Sequence, residues 1–232
     1  MASVDTSGVQ INLFGGTTWT DISPAYIYLD GQTDTLVPVP SQEEQRNFTA
    51  GVGAAYRFVM PAVKQGQAYL LHDLSLGIGY FTFNTSQNGD VWEYQLQEYD
   101  SFTYHIPINS RRLMLDSEWT FHPIGKYLYP FLETGVGVAR NAASYADTPI
   151  GGPESGQSLT MNENSLNQFA YTLGGGAKFF LTPKFDVSLR YLYTHLGNAS
   201  PAKSGTDGLT VTAPLHIGLS TQSVLLGFTY LF

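Results

Sequence analysis

Cysteine is absent from the 232 residues, so no disulfide framework braces the fold and no thiolate metal site can form. That absence fixes no compartment. Charge is also scarce: Asp, Glu, Lys and Arg make up 13% of the chain, against about 25% in a typical soluble domain. Lys and Arg total 11 against 19 Asp and Glu, a net charge of −8. With few cations and no basic tract, the chain is unsuited to nucleic acid. No run of 18 or more apolar residues occurs, so no transmembrane helix is expected. The opening Met1-Ala2-Ser3-Val4-Asp5 has neither a basic region nor an apolar stretch and is not read as a signal peptide. An exported chain of this sequence would be a mature form with an added start. The histidines His72, His105, His122, His195 and His216 have no spacing that suits zinc. Gly151-Gly152-Pro153-Glu154-Ser155-Gly156 is a loop without a following helix, so it is no phosphate cradle. Neither metal nor cofactor is expected.

What is plentiful is aromatic residues, at 14% including 15 Tyr and 14 Phe, and glycine, with 24. They are arranged in a two-residue alternation that recurs in eight segments, at about 8–19, 47–59, 71–83, 102–121, 127–140, 167–181, 184–195 and 219–232. Period two is the mark of a strand with two unlike faces. In the last segment Val224, Leu226, Phe228, Tyr230 and Phe232 oppose Ser223, Leu225, Gly227, Thr229 and Leu231. In the seventh, Phe185, Val187, Leu189, Tyr191 and Tyr193 oppose Asp186, Ser188, Arg190, Leu192 and Thr194. The third and fourth segments divide likewise. No helical periodicity and no interior linker interrupts them, so one domain over residues 1–232 is expected.

A soluble β-sandwich or a lipocalin-like barrel also alternates, the latter with its apolar face inward. Three features favour a membrane barrel. The apolar face carries rings near the strand ends (Trp19, Phe58, Trp119, Phe121, Tyr127, Phe185, Tyr230 and Phe232), as interfacial girdles require. The opposite face mixes small with charged residues. The connections alternate: short at about 60–70, 122–126 and 182–183, each with or beside a lysine (Lys64, Lys126, Lys184), and long at about 20–46, 84–101, 141–166 and 196–218. Short turns inside and long loops outside are the membrane-barrel pattern. The expectation is an all-β, eight-stranded antiparallel up-and-down transmembrane β-barrel, with both termini on the short-turn side.

If the aromatic face meets lipid, the interior receives Arg57, Asp73, Arg112, Asp116, Glu118, Glu133, Lys178, Asp186 and Arg190. Buried charge must be paired, and an interleaved set of both signs can pair across strands. Glycine pairs on that face (Gly51 and Gly53, Gly77 and Gly79, Gly135 and Gly137, Gly174 and Gly176) leave room for long neighbours. Arg57, Arg112, Arg190, Phe14 and Phe81 are expected to fill it. Eight strands leave a bore that side chains fill, so a side-chain plug is expected and a pore is not.

The terminal Val224, Leu226, Phe228, Tyr230 and Phe232 resemble the signal read by the outer-membrane barrel-assembly machinery. Arg112-Leu-Met-Leu-Asp-Ser-Glu-Trp119, Pro130-Phe-Leu-Glu-Thr-Gly-Val-Gly137, Phe169-Ala-Tyr-Thr-Leu-Gly-Gly-Gly-Ala177 and Leu189-Arg-Tyr-Leu-Tyr-Thr-His-Leu-Gly197 resemble the opacity-protein-like (OmpA/OmpX-type) family of small outer-membrane β-barrels. The resemblance implies a bacterial outer membrane, lipid and lipopolysaccharide as surroundings, and a structural or adhesive role through a host-surface or envelope partner. It supplies no catalytic residues.

Two other functions are weighed. His195-Leu-Gly-Asn-Ala-Ser200 looks somewhat like the His-x-Ser-Asn stretch of lipid A deacylases. The nucleophile's position is Gly197, however, and a hydroxyl without its base in reach is inert, so no enzyme is expected. A small channel for hydrophobic molecules, resembling the OmpW-like barrels, would use Pro107 and Pro130, each of which removes a ladder donor. The long loops hold thirteen of the carboxylates, among them Asp21, Asp30, Asp34, Glu43, Glu44, Asp90, Glu93, Glu98 and Asp100, read as solvated charge. The second loop also carries Trp92, Tyr94, Tyr99, Phe102 and Tyr104, which suggest strands continuing beyond the membrane or a contact surface.

Overall fold

A computed structural model describes residues 6–23, 25–29, 31–38, 46–60, 70–125, 127–152, 156–203 and 211–232. Ten strands form one antiparallel sheet: β1 (Gly8–Ile22), β2 (Ala25–Leu29), β3 (Gln32–Pro38), β4 (Arg46–Val59), β5 (Leu71–Trp92), β6 (Asp100–Phe121), β7 (Leu128–Pro149), β8 (Thr160–Thr182), β9 (Phe185–Ala199) and β10 (Ile217–Leu231). Eight of them close a ring in the order β1-β4-β5-β6-β7-β8-β9-β10, the last pairing with the first from Gln10↔Leu231 to Ile22↔Leu219. Closure leaves no open edge within the ring. All eight expected segments are ring strands. Lys184 sits in the β8–β9 turn, whereas Lys64 and Lys126 lie outside the described residues.

The faces divide as the alternation requires. Outward side chains include Leu13, Val52, Ile78, Leu115, Val136, Leu173, Leu189 and Phe228, all exposed. Inward ones include Arg57, Asp73, Lys178 and Asp186, all buried. A lipocalin-like arrangement is the reverse of this and is excluded.

Three ring strands, β5, β7 and β8, run far beyond their alternating segments, and β6 matches a segment that was already long. β5, β6 and β7 have 22 residues each and β8 has 23, while about 9–11 residues cross a bilayer. The surplus lies at the end opposite the short turns and forms a collar. There the alternation continues with its polarity reversed: on β6, Tyr104, Ile106 and Ile108 are buried while Thr103, His105 and Pro107 are exposed. Outside a membrane water replaces lipid, so the apolar face must turn inward. The collar core also takes Val91, Tyr145, Leu159, Met161, Leu196, Leu215, Ile217 and Leu219.

The connection at 20–46 is expected as loop but holds the hairpin β2–β3. Its turn uses Gly31 at φ 85°, a conformation that costs glycine little. β4 begins at Arg46 and pairs with β5 only as far as Thr49↔Phe83. β3 takes the free upper edge of β5, from Thr35↔Trp92 to Pro38↔Gly89. The hairpin sends Ala25, Ile27 and Leu36 into the collar core.

Candidate functional site

Among the described residues the lumen brings charges of both signs together, and strand parity aims them there. Arg57 Nη2 lies 2.7 Å from Asp186 Oδ2. Arg190 donates from Nη1 to Glu133 Oε2 at 2.7 Å and from Nη2 to Glu118 Oε2 at 3.4 Å. Lys178 Nζ contacts Glu118 Oε1 and donates to Thr120 Oγ1 at 3.2 Å. Asp73, expected among the ion pairs, meets His72 instead: its Oδ2 is 2.8 Å from Nδ1 of that ring. Arg112 makes no ion pair among the described residues, and none of its guanidinium nitrogens has a hydrogen-bond partner there. It lies over the Phe81 ring, 4.7 Å from the centroid.

Rings are as much a part of this layer as carboxylates. Arg57 covers Phe180 at 5.2 Å, and Arg190 lies between Phe14 at 4.4 Å and Phe131 at 5.2 Å. A cation over a ring face gains about 0.5–2 kcal/mol, more when desolvated. Phe131 and Phe180 are absent from the residues expected here. They share inward parity with Glu133 and Lys178, which is the signal that could have found them. The glycine gaps are filled by Phe81 against Gly51 and Gly79, by Asp116 against Gly79 and Gly135, and by Phe131 against Gly176. Phe14 lies against Gly53, while Arg57 and Arg112 are not among the nearest neighbours of any of these glycines. A cavity of about 30 Å³ remains among Phe14, Gly53, Asp116, Glu118, Glu133 and Arg190, room for about one or two waters.

Above the charges lies a neutral polar belt. Thr18 Oγ1 bridges Thr49 at 2.5 Å and Ser223 at 2.8 Å. Ser110 donates to Asn141 Oδ1 at 2.8 Å, and Asn141 Nδ2 donates to the carbonyls of Leu196 and Asn198. The apolar collar core follows. Its mouth holds a pocket of about 240 Å³ lined by Ile27, Leu29, Phe102 and Leu159 together with Asp34, Glu93 and Asp147. Asp34, expected as a solvated loop charge, is buried, and its Oδ1 accepts the Tyr94 N–H at 2.9 Å. Asp147 accepts the Leu159 N–H at 2.7 Å and the Tyr145 hydroxyl at 2.9 Å. Burial pushes both carboxyls above the ordinary aspartate range, against the pull of those N–H donors. No group of three or more His, Asp or Glu suited to a metal ion occurs among the described residues. Asp30, Glu43 and Glu44 lie outside them.

The deacylase-like stretch separates in space. His195 faces outward and stacks on Tyr171 at 5.2 Å, while Ser200 is buried and donates to the Pro201 carbonyl at 3.3 Å. Gly197 has φ 73°, and a Cβ there would come within 2.6 Å of Gln168 Cβ, so no serine fits. The hydroxyl opposite His195 in the ladder is that of Ser220, whose other neighbour is Asp21. A triad needs its carboxylate on the imidazole, not beyond the hydroxyl. Val224, Leu226, Phe228, Tyr230 and Phe232 line the outward side of the closing strand, all exposed.

The sequence profile of the outer membrane protein beta-barrel domain matches residues 105–232, more than half the chain. This chain belongs to that family. It is a transmembrane β-barrel of a bacterial outer membrane, of the OmpA/OmpX type. It is 29% identical over 120 residues to the outer membrane protein PagN of Salmonella typhimurium, a stretch covering 51% of this chain and 48% of PagN. The chain thus spans about half the length of that curated relative. Among solved structures it resembles OprG of Pseudomonas aeruginosa, with 14% identity, 99% of each chain covered and a TM-score of 0.50. It also resembles the outer membrane protease OmpT of Escherichia coli, with 9% identity, 97% of each chain covered and a TM-score of 0.51. At such identities the likeness is one of fold alone.

Proposed function

We propose that this barrel is a non-enzymatic surface protein whose lumen is plugged and whose collar and loops make its contacts, in an adhesive or envelope-structural role. The observation that carries this reading is the filling of the bore. Ion pairs and rings occupy one level, a hydroxyl belt the next and an apolar core the third, and the cavity at the charged level among Phe14, Glu118, Glu133 and Arg190 is about 30 Å³. A barrel that transmits nothing acts through its ends, and the collar is the end with built structure. Lipid and lipopolysaccharide surround it, the barrel-assembly machinery reads Val224 to Phe232, and a host-surface or envelope partner meets the collar. The test removes β2–β3 and then each long connection in turn, and compares attachment of cells carrying each variant to host cells and matrix. Reduced attachment for at least one deletion, at unchanged surface level, is expected; no reduction for any of them excludes adhesion.

A second reading, a small channel for hydrophobic molecules, is favoured by one observation. The β6–β7 ladder runs from Phe102↔Pro149 to His105↔Ala146 and resumes in the same register at Ile108↔Ala143, interrupted at Ile106 and Pro107, where proline has no N–H to donate. The mouth pocket and this gap would give a lateral route. Pro107 lies two outward positions beyond Arg111 and one beyond Asn109, however, where the surface is polar, so the route would not reach acyl chains. Pro130 pairs with Ala177 near the start of β7, where proline is tolerated.

A further inference from the structure

Arg111 and Arg140 are direct partners in the β6–β7 ladder. Both face outward and both are exposed. Side chains directly opposite on one face stand about 4.5–5.5 Å apart at Cβ, and like charges in that relation destabilise a sheet. No carboxylate stands beside them among the described residues. Their cross-strand neighbours are Thr82 and Asn167, and the outward residues before and after them are Leu113 and Asn109 on β6 and Val138 and Ala142 on β7. Neither arginine makes an ion pair among the described residues. In a chain with only 11 cations, two are placed side by side with no counter-charge among the described residues.

Their depth is defined by the register. One rung nearer the short turns runs a continuous apolar row, Val52, Tyr80, Leu113, Val138 and Phe169, every member exposed. One rung farther out the row is Asn84, Asn109, Ala142 and Ser165. The arginines occupy the seam between lipid-facing and water-facing surface on the loop side, which is the depth of outer-leaflet headgroups. Directly below them an apolar groove of about 340 Å³ runs between Leu113, Leu115, Val136, Val138 and Phe169.

We propose that Arg111, Arg140 and this groove form a binding site for the phosphorylated sugar headgroup of outer-leaflet lipopolysaccharide. The paired guanidinium forks take a phosphate group, and the groove takes an acyl chain of the same molecule. Arginine forks match phosphate oxygens two at a time, and a phosphate monoester supplies the charge that the pair lacks. The site needs the collar to face outward but does not depend on the collar being adhesive.

The test uses the full chain folded in zwitterionic detergent, titrated with bisphosphorylated lipid A and read by native mass spectrometry. The comparison is Arg111→Gln with Arg140→Gln. The wild type should retain one lipid A per barrel, with at least about tenfold weaker retention in the double variant. Without lipid A the variant should be at least as heat-stable as the wild type, because the repulsion is gone. Lipid A should then raise the melting temperature of the wild type only. Should the glutamine variant not fold, Arg111→Lys with Arg140→Lys keeps both charges, loses the forks and should retain lipid A more weakly. Equal retention by folded wild type and variant would overturn the site. Phosphatidylglycerol binding as tightly as lipid A would overturn the sugar-headgroup assignment, and displacement by millimolar inorganic phosphate would overturn the part played by the groove.

Discussion

Arg57 and Asp186 are 2.7 Å apart and neither reaches water, so removing one strands the other as an unpaired buried charge. Asp186→Ala is expected to cost about 3–5 kcal/mol, read by urea unfolding in vesicles. Arg57→Met with Asp186→Leu should recover most of that loss, since the pair is replaced by volume without charge. At the mouth, burial raises Asp34 and Asp147 above the ordinary value of 3.8. A raised folded-state pKa means that the folded collar binds more protons than the unfolded one just above pH 3.8. Collar stability therefore falls as pH rises through that window and is greatest below it. Amide protection of β3, corrected for intrinsic exchange, should decrease from pH 4 towards 7, and Asp34→Asn with Asp147→Asn should flatten the dependence. Inward parity made the lumen charges legible in the sequence, but not their partners. Arg112 and Asp73 share the parity of the ion-paired residues, and only the tilt and stagger of neighbouring strands decide that one meets Phe81 and the other His72.

Among the elements, the membrane-crossing part of every ring strand was legible because lipid on one side and a packed bore on the other enforce strict alternation. The collar was legible only on β6 and in the rings of the second loop; on β5, β7 and β8 it was not, and β6 shows the physical reason, its alternation passing from outward-apolar at Leu113 to inward-apolar at Ile108. A pattern that reverses sign reads as its own end. β2 and β3 were hidden because their burial depends on an edge of β5 that exists only once β4 has begun late. Pro107 interrupts the β6–β7 ladder for want of a donor, so Pro107→Val should donate to the Ser144 carbonyl opposite it in the unshifted register and raise hydrogen-exchange protection at Ser144. A lateral hydrophobic route would be impaired by that variant, whereas attachment through the collar would not. On β10 the outward row ends at Phe232. Phe232→Ala should lower outer-membrane assembly in cells while leaving folding of the purified chain into vesicles unchanged, since recognition and not packing is lost.

At the scale of the molecule, one sheet solves two solvent problems. Its lower half is apolar outside and charged within; its collar is polar outside and apolar within. The seam between them carries Arg111 and Arg140, and ion pairs below it and apolar side chains above it point into the bore. The plug is the central claim, and conductance tests it most directly. The purified chain should be folded into a planar bilayer and recorded one molecule at a time. Side chains joined at Arg57–Asp186 and Arg190–Glu133, beneath the hydroxyl belt and apolar core, predict silence under applied voltage. Stable, reproducible conductance steps that change on Arg190→Ala or Glu133→Ala would contradict it, because they would make those residues the lining of an open pore.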